Sequence, residues 1–201
     1  MKSLELITPE HAQHKQVVSF VNSVYERTLH VSARNPPETL LAAIEGENVF
    51  GCIGFNHSVQ WHFFKDDPRY QRAVSMFPSD TRIGEQSMLA ISGFPAGVPL
   101  LFSALAAYAE HVGIQKIVFA GIGVSCRTVE QLGFSVDVLG PTAEAVTSPQ
   151  DRAHYAYWLE QFQPQTCILD TTRAQDVYHN VAGRFTRKAH LAPSLQAQLA
   201  A

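Results

Sequence analysis

Cysteine is scarce in this chain of 201 residues and badly spaced for chemistry. Cys52, Cys126 and Cys167 are the only three, and none belongs to a C-x-x-C pair. An odd count at such separations excludes a disulfide framework and a zinc knuckle, and each sits in an apolar context suited to a small buried hydrophobe. No stretch of about 18 apolar residues runs uninterrupted, so no membrane span is expected. The opening "MKSLELITPEH" lacks the apolar centre of a secretory signal. Positive charge is not in excess: 15 Lys and Arg stand against 18 Asp and Glu, a net charge of −3. The one local basic excess, Arg184, Arg187 and Lys188, reads as a solvated tail, so a nucleic-acid partner is not expected. The nine histidines contain no H-E-x-x-H or H-x₃-H pair, and His57 and His62 would face opposite sides of a strand. No metal site is therefore expected. No G-x-S-x-G elbow is present to aim Ser87 or Ser92 as a nucleophile. These absences leave a soluble cytoplasmic protein as the expectation.

What is present is enough apolar residue for a core: 46% hydrophobic against 16% charged. The expected organisation is one domain over 1–172 with a helical or flexible appendage over 173–201, since the residues after Gln175 show no clear core face. Leu4 to Thr8 reads as a strand, and Thr8-Pro9-Glu10 as the start of a helix. Val17, Phe20, Val21, Val24 and Tyr25 carry that helix to about Thr28. Leu40–Ile44 and Val49–Phe55 read as a hairpin across "EGEN". Ile83–Ile91 is a strand, Val98–Val112 a helix closed by Gly113, "KIVFAGI" a buried strand and "SCRTVEQL" a short helix. "FSVDVLG" and "TCILD" are further strands, with "RAHYAYWLEQF" a helix between them. Hairpins give antiparallel neighbours and strand–helix–strand units parallel ones. The class is α/β or α+β, a mixed sheet with helices on both faces.

Between the strand and the long helix stands "SGFPAGVP". Free backbone N–H groups at a helix start hold phosphate, and Gly93 and Gly97 would let a ligand approach closely. The same glycines are equally explained as a turn with no ligand. Pro95 and Pro99 remove two donors from any such cradle.

The order from Ile83 to Phe134 resembles the core of the GNAT acyltransferase superfamily: "RIGEQSMLAIS", "GFPAGVP", "LLFSALAAYAEHVG", "IQKIVFAGIG", then "VSCRTVEQLGF". More narrowly, "RIGEQSMLAI" is similar to the E-x-S-R-x-A-V strand of autoinducer (acyl-homoserine-lactone) synthases. It also resembles a strand of the thermostable-hemolysin family, which "VYERTLHVSAR" and "YAYWLEQFQP" fit as well. Departures are specific. Phe94 stands where the superfamily turn carries Arg or Gln, Pro99 where it ends in Gly or Ala, and Val129 where a tyrosine acid is usual. Met88 replaces the autoinducer-synthase arginine, and Lys65 an acidic residue of the hemolysin-like family.

The resemblance implies a GNAT-like, mostly antiparallel sheet and an N-acyltransferase. It would use acyl-CoA or acyl-phosphopantetheine on an acyl carrier protein as co-substrate and a small amine as acceptor. Leu89, Ala90 and Ile91 would pair with the pantetheine arm, with Gly93, Gly97 and Val98 at its phosphate. Glu85 would be the base; placed among apolar neighbours, its carboxyl is expected to titrate high. The other reading of Glu85 is a strand carboxylate salt-bridged to Arg82 or Arg127. By two-residue alternation it should share a face with Ser87 and Leu89. Tyr25, Arg27, Arg34, Phe63 and Phe64 fall where acceptor-side elements lie in that superfamily. The arginines also read as surface charges, and Trp61, Phe63 and Phe64 as core. The alternative function is a non-catalytic module that senses a ligand or binds a partner. A homo-oligomer is admitted among the partners.

Overall fold

The computed structural model describes residues 2–33, 37–94, 96–185 and 189–191. Arg34, Pro95, Arg187 and Lys188 of the sequence reading lie outside the described residues. The chain opens with β1 (Lys2–Ile7) and α1 (His14–Leu29), then the hairpin β2 (Thr39–Glu45) and β3 (Asn48–Asn56). Two short helices follow, α2 (His62–Lys65) and α3 (Pro68–Ser75), leading into β4 (Ile83–Ile91) and α4 (Gly97–His111). Next come β5 (Lys116–Gly121), α5 (Gly123–Gln131) and β6 (Val136–Pro141). The helices α6 (Thr142–Ala145), α7 (Pro149–His154) and α8 (Ala156–Phe162) precede β7 (Gln165–Asp170), α9 (Ala174–Phe185) and β8 (Ala189–Leu191).

The strands form one sheet in the order β6-β7-β5-β4-β3-β2-β1-β8. Among the described residues only β4–β5 and β1–β8 are parallel neighbours, and every other pair is antiparallel. The expected mixed, mostly antiparallel sheet with helices on both faces is what the chain forms. On one face α1 covers Leu40, Ala42, Cys52, Met88 and Ala90, and α3 continues the layer over Val118 and Ile168. On the other, α4 lies on Leu41, Ile53, Phe55, Ile117 and Phe119.

Three expectations are corrected. Thr8-Pro9-Glu10 starts a turn and not a helix: the Thr8 carbonyl accepts from His11 N–H and the His11 carbonyl from His14 N–H, which delays α1 to His14. "RAHYAYWLEQF" is two short helices, α7 and α8, broken at Tyr155. The residues after Gln175 do have a core face. Tyr178 and Val181 of α9 are buried in the same cluster as α4. Every residue of α4 from Leu100 to Ala109 is buried, because the helix lies between the sheet and α9. Its alanines at 104, 106, 107 and 109 keep that helix thin enough to be covered on both sides.

Candidate active site

The site begins with a strand that loses its partner. β4 pairs with β5 only at Ile83↔Lys116, Gly84↔Ile117 and Glu85↔Val118, so beyond Glu85 the two strands part. On its other edge β4 stays paired with β3, but with a register shift: Leu89 faces Ile53 while Gln86 faces Phe55. Two residues, Ser87 and Met88, therefore stand opposite Gly54 as a β-bulge, which bends and twists the strand away from β5. The bulge also reverses the alternation. Glu85 and Met88 face the α1 side, and Leu89 packs with the α4 cluster, so Leu89 does not share the face of Glu85 as expected.

The opening holds a cavity of about 200 Å³ that reaches both faces of the sheet. Gln86, Ser87, Met88 and Leu89 form one wall, and Ala120, Gly121 and Ile122 at the end of β5 form the other. From the α1 face come Tyr25, Thr28 and Leu29; from the α4 face come Phe102 and Ser125. Trp61, Tyr155, Trp158 and Phe162 close the remaining side. Their rings lean on one another: the centroids of Trp61 and Tyr155 are 5.9 Å apart and those of Tyr155 and Trp158 6.0 Å. Such a wall suits an apolar ligand carrying few polar groups.

Two polar groups enter this wall in unusual states. Ser87 Oγ is buried with no hydrogen-bond partner among the described residues. Tyr25 Oη accepts a hydrogen bond from Leu89 N–H at 3.1 Å. Burial pushes the Tyr25 hydroxyl up to about 12, against the opposing pull of that amide, so it keeps its proton at neutral pH.

Glu85 lies beside the cavity and is not part of its lining. It is fully buried. Its Oε2 accepts from Gln60 N–H at 2.7 Å and Trp61 N–H at 2.8 Å, and its Oε1 from the Asn56 side-chain amide at 3.2 Å. Burial raises its pKa, opposed by those three donors and by Lys65. It forms no ion pair with Arg82 or Arg127; the Arg82 guanidinium donates to the Val112 carbonyl instead. The carboxylate ties the 57–61 loop to β4 and so fixes Trp61 over the opening.

The turn after β4 is built as packing. Gly93 is exposed with φ +63°, a conformation glycine adopts without strain. Phe94 is buried in the α4 cluster, and its carbonyl takes the Gly97 N–H at 2.8 Å. A Cβ on Gly97 would stand 3.1 Å from Ile91 and Phe94, so this glycine makes room for its own neighbours. Leu100 N–H is spent on the Ala96 carbonyl, and Pro99 has none, which leaves Val98 N–H in the first turn.

Of the site residues expected from the sequence, the structure brings Tyr25 and Leu89 to the cavity, and Trp61, read as core, lines it as well. Ala90 is buried under α1, and Ile91, Gly93, Gly97 and Val98 lie beyond the lining. Phe63 and Phe64 are buried behind Trp61, at 5.3 Å and 5.8 Å between ring centroids. Arg27 is exposed on the last turn of α1, where a cation suits the helix C-terminus. Sequence reasoning missed the aromatic side. Tyr155, Trp158 and Phe162 recur at i, i+3 and i+7, a helical stripe that could have been read as one face. Among the described residues no group of three His, Cys, Asp or Glu could hold a metal ion, and no helix is long and apolar enough to cross a membrane.

The same fold recurs in known structures. A CoA-dependent acyl-homoserine lactone synthase, BjaI, solved with SAM and isopentyl-CoA, superposes with a TM-score of 0.61 over 100% of both chains at 15% identity. The synthase LasI gives 0.62, over 90% of this chain and 95% of its own, at 15% identity. FeeM, an N-acyl amino acid synthase from uncultured soil microbes, gives 0.62 over 92% and 97% at 13% identity. The fold is that of the acyl-homoserine lactone synthases. No family model matches the chain, and no curated protein matches its sequence. At these identities the likeness is one of fold, and it agrees with the GNAT-like architecture implied by the motifs.

Proposed function

We propose that the protein is an N-acyltransferase that moves an acyl group from a thioester, on CoA or on an acyl carrier protein, to a small amine by direct attack. The observation that carries this is the apolar cavity in the β4/β5 opening, with a strand edge along one side. An acyl chain fits the aromatic and aliphatic lining. The Ile91 N–H, on the gap side of β4 by alternation from the Ser92 N–H that reaches Phe50, is free of the β3 ladder for a pantetheine amide. Solved with isopentyl-CoA, BjaI supports a CoA thioester as one donor.

The residues do not fit a tight grip on a diphosphate at the 92–97 turn. None of the residues 92–97 is basic, and the Gly97 and Leu100 amides are already used. The donor is therefore held by its acyl and pantetheine parts. Atoms balance without an added base when the amine arrives neutral: the C–N bond forms, the C–S bond breaks, and the proton lost by nitrogen is gained by sulfur. Glu85 enters this proposal as a positioning residue, through its two bonds to the loop that carries Trp61. The small amine is left as a class; SAM, with which BjaI was solved, and amino acids, since FeeM is an N-acyl amino acid synthase, head the panel to be tried.

A ligand that binds only the folded state raises its melting temperature, by about 2.7 kcal/mol of stabilisation at a hundredfold excess over Kd. Acyl-CoA and acyl-pantetheine should both shift the melt, with affinities within about tenfold of each other. A donor that binds only with its adenosine diphosphate would contradict the arm-based reading. The stripped turn favours one second reading, a non-catalytic ligand-binding module. It predicts the same shift with no amide formed.

A further inference from the structure

The proton on Tyr25 Oη has no assigned destination. Leu89 is the first residue after the bulge, and its N–H points into the gap, one position out of phase with the β3-facing Ala90 and Ser92 amides. β5 pairs no further than Glu85, so no strand accepts that N–H; the Tyr25 hydroxyl does, at 3.1 Å. A phenol that accepts one hydrogen bond still has its own hydrogen to donate. Among the described residues no acceptor is recorded for it. Both Tyr25 and Leu89 line the cavity.

We propose that the Tyr25 hydroxyl, held by Leu89 N–H, is the donor that stabilises the oxyanion formed when an acyl thioester is attacked in this cavity. The inference rests on the acyl-transfer reading and names a catalytic residue for it. Accepting from the amide polarises the O–H and strengthens it as a donor in a low-dielectric site. The hydroxyl stays protonated across the neutral range, as its high pKa requires, so it donates a hydrogen bond and not a proton. In the step itself the amine lone pair forms the C–N bond and the carbonyl π electrons move to oxygen. That oxygen, now an anion, accepts from Tyr25. Collapse restores C=O and expels the thiolate, which takes the proton released by nitrogen. Tyr25 ends as it began.

The test is Tyr25→Phe, which removes one oxygen and keeps the ring packed beside Val21 and Cys52. Loss of one oxyanion donor costs about 10²–10³-fold in kcat. That loss should appear with donor KM little changed and the melt within a few degrees of wild type. It should also be equal for alkyl thioesters and for aryl thioesters, whose thiolate leaves without needing a proton. A loss confined to alkyl thioesters would make Tyr25 a leaving-group acid and overturn the assignment. Raised KM with intact kcat would reduce it to positioning and equally overturn it. Unchanged kinetics in Tyr25→Phe, beside a wild type that turns over, removes Tyr25 alone, whereas a wild type that transfers no acyl group removes the acyl-transfer reading and this inference together.

Discussion

Substituting Glu85 by Gln exchanges one oxygen for an NH2 group at the best-connected point of the site. An amide oxygen in the place of Oε2 keeps the Gln60 and Trp61 bonds of 2.7 Å and 2.8 Å. The amide nitrogen then meets the Asn56 side-chain donor that Oε1 accepted at 3.2 Å. Asn56 cannot turn over without loss, because its oxygen holds Glu38 N–H at 2.9 Å. One buried hydrogen bond is lost and two donors face each other, which costs about 1–3 kcal/mol. For a chain of this size that lowers the melting temperature by about 2–4 °C per kcal/mol. The gap should depend on pH in a defined direction. Burial raises the folded pKa of Glu85 above the unfolded value of about 4.3. Between those two values the folded protein holds a proton that the unfolded chain has lost. The Glu85 contribution is therefore fully present below about pH 4.3 and declines as pH rises through the folded pKa. Gln has no such proton. The wild-type advantage should be largest near pH 4 and smaller at pH 8. Asp67 and Asp170, whose pKa values are lowered, titrate in both proteins and cancel in the difference. Melts of both proteins across pH 4–8 measure it. A gap that widens with pH would refute the raised pKa. A kcat loss of about 10²-fold or more with the melt intact would make Glu85 a base and refute its positioning role.

Ser87→Ala removes a buried hydroxyl with no partner, so the melt should rise by about 2–4 °C, for roughly 1 kcal/mol; a fall would mean that the hydroxyl is satisfied. Tyr178→Phe should behave likewise, since its hydroxyl is also buried with no partner among the described residues, whereas Tyr178→Ala should cost about 3–5 kcal/mol as a core cavity. Equal melts for the two would contradict the docking of α9 on α4. Phe102→Ala opens the cavity on its α4 side and should move donor preference toward longer acyl chains in competition assays, with no change in the preferred amine.

Much of the sheet was legible because local pattern and tertiary context agree. The hairpin of β2 and β3 closes on Gly46 and Glu47 inside the "EGEN" that marked it. The site was legible in part. Tyr25 and Leu89 were singled out, but their hydrogen bond joins positions 64 residues apart and leaves no trace in either segment. The bulge at Ser87 and Met88 carries no glycine, so strict alternation predicted the wrong face for Leu89. The sequence leaves Gly97 open to a phosphate role or a plain turn, because what packs against it is not local in pattern: the Phe94 side chain, buried in the core, stands where a Cβ on Gly97 would crowd it. In α9, Ala174, Tyr178 and Val181 follow a helical stripe that dilution by polar neighbours concealed.

The most direct test of the acyl-transfer account is a paired assay of thiol release and amide formation. Wild type would be incubated with acyl-CoA, acyl-pantetheine or acyl carrier protein thioesters against an amine panel. The account predicts thiol released one-for-one with an N-acyl product seen by mass spectrometry, for at least one donor and amine. A donor that binds in the cavity with no amide formed for any amine would contradict it.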